Sequence, residues 1–223
     1  MASSDDFVPG KQKADSVLPA SEIIQHAQNL PVDFGNQILY RMCADYPYHS
    51  DVDVVGGKIW LIGRAYAASL ERKKPQGIST NNLYRQVTQA LVASDIDAQL
   101  SYLRETYAQP LDARDSEAVD RLLNLHDSFV NLVTRYTQID KRSLASKYLH
   151  FHLPSLIYIY DSRASSALRA IYPRLSCKQA RNTRFDYPYH MFYLKMLKLR
   201  DDIGAAHNIW LNPRQMDNLL LSL

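Results

Sequence analysis

Glycine is scarce in this chain: there are seven in 223 residues, roughly half the ordinary share of about 7%. Tight β-hairpins, glycine-rich phosphate loops and collagen-like repeats all depend on that residue, so turn-rich all-β folds and glycine-loop nucleotide sites are disfavoured. A mostly helical chain is expected instead. The 46% hydrophobic and 22% charged residues are enough for a sizeable core in a globular domain.

The two cysteines, Cys43 and Cys177, stand far apart without CxxC spacing. They offer neither a structural zinc site nor a disulfide framework, and they suit a reducing compartment. The first ten residues are small, acidic and polar rather than basic then apolar, and no run approaches the ~18 apolar residues that span a bilayer. A cytoplasmic protein with no membrane partner is the expectation. The formal charge is +3 with a pI near 8.7, which permits nucleic-acid contact without demanding it. Its distribution is more telling, because Arg135, Lys141, Arg142, Lys147, Arg163, Arg169, Arg174, Lys195 and Lys198 make the later third basic. A polyanion would bind there.

Residues 1–19 are small, polar and punctuated by proline, and read as a flexible leader. From residue 20 to 223 the pattern is that of a single all-helical domain. Short helices are expected after Ser21 and after Asp33, a third from Asp53 to Arg72 that looks central, and others at 80–92 and 95–107. A long helix follows Asp115 as far as Tyr136, with further ones at 143–150, 162–172, 189–202 and from Pro213 onward. Asn212 followed by Pro213 is a cap with proline at the first helical position. No internal repeat is evident; the tetrapeptide Tyr-Pro-Tyr-His occurs twice, at 46–49 and 187–190, too briefly to define one.

One stretch carries more. Residues 135–168 read RYTQIDKRSLASKYLHFHLPSLIYIYDSRASSAL: a short basic helix with alanine at its centre, a proline, an apolar run at 157–160, then Asp161 opening the next helix. This order resembles the helix-hairpin-helix DNA glycosylase superfamily. The resemblance implies an all-α, glycosylase-like helical bundle, in two lobes around a central cleft, in which Asp161 is the catalytic carboxylate. Ser143, 18 residues before it, falls where lyase-competent members carry lysine, which implies a monofunctional hydrolase needing no cofactor and no metal. The partner implied is nucleic acid, DNA ahead of RNA. The segment at 137–141 departs from the family's hairpin in having no glycine. Phosphate would then be held by the side chains of Lys141 and Arg142, against repulsion from Asp140.

Such chemistry needs a carboxylate beneath the positive charge that develops on the sugar, and a pocket for a base taken out of the stack. Lys141, Arg142, Ser143, Lys147 and Arg163 are the candidate nucleic-acid contacts; Tyr148, His150, His152 and Tyr160 are the candidate base pocket. Each has a plainer role open to it: Asp161 as an N-cap, the cations as solvated helix faces, the tyrosines as core packing, His150 and His152 as hydrogen-bonded interior residues. Two other functions stay open. One is a non-catalytic helical module that binds nucleic acid or protein. The other is a HEPN-type ribonuclease, for which Arg184 and His190 have the spacing, although Pro188 between them conflicts with the helix that motif needs.

Overall fold

The computed structural model describes residues 18–28, 33–107, 115–173 and 185–223. Among these residues there are ten helices and no strand: α1 Ala20–Gln28, α2 Asp33–Asp45, α3 Val52–Ala65, α4 Thr80–Val92, α5 Ile96–Thr106, α6 Ser116–Thr137, α7 Arg142–His152, α8 Ser162–Ile171, α9 Tyr187–His207 and α10 Pro213–Ser222. None is long and apolar enough to cross a membrane. Cys177 and Arg184 lie outside the described residues, and with Arg184 the ribonuclease spacing.

Local chemistry sets most of the helix starts. Asp51, Ser79, Asp115, Asp161 and Asn212 each accept a hydrogen bond from a backbone N–H in the first turn of the following helix, satisfying donors that have no partner within the helix. Asn212 forms a full capping box with Gln215, and Pro213 takes the first position. Pro188 does not interrupt α9. It sits in the first turn, where a missing N–H costs nothing, and the helix runs from Tyr187 to His207 rather than from 189 to 202.

The third helix is shorter than its sequence pattern suggests. It stops at Ala65, where Ala68 N–H bonds Gly63 O at 2.7 Å and Ala67 N–H bonds Arg64 O at 3.3 Å, with Ala67 left-handed at φ 50°. That is a Schellman close. It brings the chain back across Gly63, where a Cβ would lie 3.1 Å from the Ser69 Cα. Any side chain there would have to push the Ser69 backbone back by a few tenths of an ångström.

The helix at the centre is α7 rather than α3. It packs against α2, α3 and α6, and every residue from Leu144 to His152 is buried. Around this centre α3 packs on α4, and α4 and α5 both pack on α6, while α1 and α8 lie against α10 and α8 also touches α9. A helix with no wet face is normally apolar all round. This one carries Ser146, Lys147, Tyr148, His150 and His152 into the interior, so each of those polar groups needs a partner there.

Candidate functional site

After α7 the chain turns through Pro154, with the N–H groups of Leu156 and Ile157 both bonded to Leu153 O, into the non-helical and almost wholly buried residues 157–160. A buried non-helical segment has neither a helix nor a sheet ladder to satisfy its carbonyls. Side chains from α7 and α9 do so instead. Tyr193 OH donates to Leu156 O at 3.1 Å, His150 Nδ1–H to Ile157 O at 2.8 Å and Tyr189 OH to Tyr158 O at 3.1 Å. Ser146 Oγ accepts from Tyr160 N–H at 3.0 Å. His150 is completed by Tyr40, whose hydroxyl donates to Nε2 at 2.6 Å. Burial holds its pKa down at about 4, so the ring is neutral and the two bonds define its tautomer.

This clamp fixes the residue that follows. Asp161 has extended backbone, φ −146° and ψ 176°, and its Oδ1 accepts from Ala164 N–H at 2.9 Å, so one carboxylate oxygen caps α8. The residue is half-buried. Lys147 and Asp217 lie close enough to interact with it electrostatically. Lys147 is buried, its Nζ donating to Ser143 Oγ at 3.0 Å and to Tyr66 O at 3.1 Å. Burial lowers its pKa, opposed by the charges of Asp161 and Asp217. Asp217 is 2% exposed, and burial pushes its carboxyl up to about 6 despite Arg214, whose Nη1 donates to its Oδ2 at 2.7 Å. Its Oδ1 has no partner among the described residues.

Two carboxyl groups therefore share one corner in different environments, one half-exposed and capping, the other buried beside an arginine. The sequence pattern pointed to Asp161, Ser143 and Lys147 but not to Asp217, Arg214 or Tyr66. The polar residues of α10 look like an ordinary helix face until α1 and α8 cover them.

The remaining candidates spread further apart. Lys141 Nζ donates to Arg72 O, tying the α6–α7 connection to the segment between α3 and α4. Arg142 is gripped through Nε by both oxygens of Asp186, at 2.6 and 2.7 Å, and through Nη2 by Asp140 at 2.7 Å. Arg163 is exposed and its Nη2 donates to Leu221 O at 2.9 Å. The connection itself turns at Gln138, left-handed at φ 58°, so a non-glycine residue takes the conformation that glycine favours. Tyr160 is half-buried against Phe192.

Tyr148 and His152 belong to a different buried group. Tyr148 OH donates to His49 Nε2 at 2.8 Å, and His49 Nδ1–H donates to Asp97 Oδ1 at 2.6 Å. His152 stacks on His49 with ring centroids 5.2 Å apart, and its Nε2 lies 3.5 Å from Lys58 Nζ. Lys58 also donates to Tyr46 O at 2.7 Å. Burial lowers the pKa of His49, His152 and Lys58 alike. Among the described residues no group of three His, Cys, Asp or Glu side chains could hold a metal ion.

No protein-family model, no curated protein and no solved structure matches the chain.

Proposed function

We propose that this protein hydrolyses the N-glycosidic bond of a base extruded from nucleic acid, DNA ahead of RNA, with Asp161 as the catalytic carboxylate and no covalent enzyme–sugar intermediate. The observation that carries the reading is the placement of Asp161: one oxygen is locked by the α8 cap, and the group sits half-exposed at the end of a clamped, buried run. A carboxylate so fixed stabilises the positive charge that grows on the sugar as the C1′–N bond lengthens, without reorganising at that moment. Water then adds to C1′. The base leaves with a proton on its nitrogen, and the sugar is left as an abasic hemiacetal. Asp217, with a carboxyl raised to about 6, is the neighbouring acid nearest to half-protonation at neutral pH.

A second reading has its own observation. Arg142 is paired with Asp186 and Asp140, and Lys147 is buried, so two cations expected on a phosphate-binding rim serve the fold instead. That favours a helical interaction module with a weaker hold on nucleic acid. The deciding experiment offers the full chain a panel of single- and double-stranded DNA carrying normal, damaged and hypermodified bases, with alkaline cleavage to reveal abasic sites. Abasic sites on at least one substrate support the hydrolase. No release, with salt-sensitive binding retained, supports the module.

A further inference from the structure

Arg214 also lines a cleft of about 940 Å³, a volume ordinary for small-molecule sites. Tyr40, Tyr107 and Phe151 contribute aromatic walls, His152 lines it from α7, and Arg104 and Arg214 supply positive charge. None of the described residues lining it is acidic. The carboxylates of Asp97 and Asp217 are turned to His49 and Arg214. Two of the residues lining the cleft carry a buried nitrogen with no acceptor among the described residues: His152 Nδ1 and Arg214 Nε. Since Nε2 of His152 faces the ammonium of Lys58, the ring proton belongs on Nδ1.

Buried donors are nearly always paired in folded proteins. One on His152 and one on Arg214, with Arg104 as a second cation and no acid among the described lining residues, call for a ligand that brings acceptors and negative charge, and the three rings call for one that also brings a flat face. We infer that this cleft binds a phosphate-bearing planar heterocycle of mononucleotide size, with the phosphate toward Arg104 and Arg214 and the ring against Tyr40 and Phe151. Arg214 joins this cleft to the corner of Asp217, but the assignment does not rest on the reaction proposed at Asp161. A sugar phosphate without a ring leaves the aromatic walls unused. A neutral nucleoside leaves the donors unpaired.

Isothermal titration of the full chain with nucleoside 5′-monophosphates, the matching nucleosides and inorganic phosphate tests this directly. At least one monophosphate is expected to bind, with its nucleoside and phosphate each weaker by about tenfold or more. Arg104→Gln, an exposed position that leaves the core untouched, is expected to weaken the monophosphate by about tenfold. Asp161→Asn is expected to titrate like the wild type, which separates this site from the proposed hydrolase. No binding of any monophosphate at roughly 10 mM, an Arg104→Gln titration indistinguishable from wild type, or phosphate binding as tightly as the nucleotide would each overturn the assignment.

Discussion

Asp161 holds two roles on two oxygens, and substitution can divide them. Asparagine retains a carbonyl that caps as well as aspartate does, so Asp161→Asn is expected to unfold within about 0.5 kcal/mol of the wild type. Asp161→Ala is expected to lose about 1 kcal/mol with the cap; urea denaturation of the three proteins side by side measures both. Ser146 acts on the same residue from behind. Its hydroxyl holds Tyr160 N–H, the amide just before Asp161, so Ser146→Ala is expected to cost about 1 kcal/mol. As a positioning residue it should lower the rate of base release while leaving substrate affinity unchanged. Much of this was legible residue by residue. An aspartate ahead of Ser162-Arg163-Ala164 announces a cap because the bond is local. The acid beside it, Asp217, was not legible, since its burial is made by helices distant in the sequence.

At the scale of helices the same division holds. The caps at Ser79, Asp115 and Asn212 depend on neighbours in the chain, and the sequence pattern located them closely. The end of α3 was overrun, to Arg72 instead of Ala65, because the apolar spacing continues past a stop made by backbone geometry at Ala67 and Gly63. That stop makes a prediction. In Gly63→Ala the new methyl meets the Ser69 Cα at 3.1 Å, and backbone, unlike a side-chain tip, yields only by moving the turn. A loss of roughly 1–3 kcal/mol is expected, read as a lowered urea midpoint with unchanged slope. An unchanged midpoint would mean that the turn is slack. The central place of α7 was hidden for a different reason. Its lysine looks like part of a solvated face, and although His150 and His152 can be read as interior residues, their partners, such as Tyr40, 110 residues from His150, are set only by the tertiary fold.

For the whole molecule the buried histidines set an acid limit. Burial holds His126 and His150 down at about 3 and about 4, against an ordinary value near 6.5, and lowers His49 and His152 as well. All four are neutral in the fold, so the unfolded chain takes up protons that the folded chain refuses once the pH drops below about 6.5. Their contribution is complete above that value and declines as pH falls toward the folded pKa values. At pH 5, His126 and His150 each remove roughly 2 kcal/mol. Asp217 works in the opposite sense, because its raised carboxyl takes a proton more readily in the fold, and it offsets part of the loss. Thermal melts at pH 7.5 and pH 5 are expected to differ by about 10 °C, the acid sample melting lower. Equal melting temperatures would mean that these imidazoles are hydrated and titrate normally.

Base release at Asp161 is the most direct test of the account. On whichever substrate of the DNA panel the wild type yields abasic sites, single-turnover rates are compared for wild type and Asp161→Asn. The rate is expected to fall by at least about a hundredfold, with melting temperature and DNA affinity unchanged. An Asp161→Asn protein that releases base at the wild-type rate would leave Asp161 as a helix cap alone.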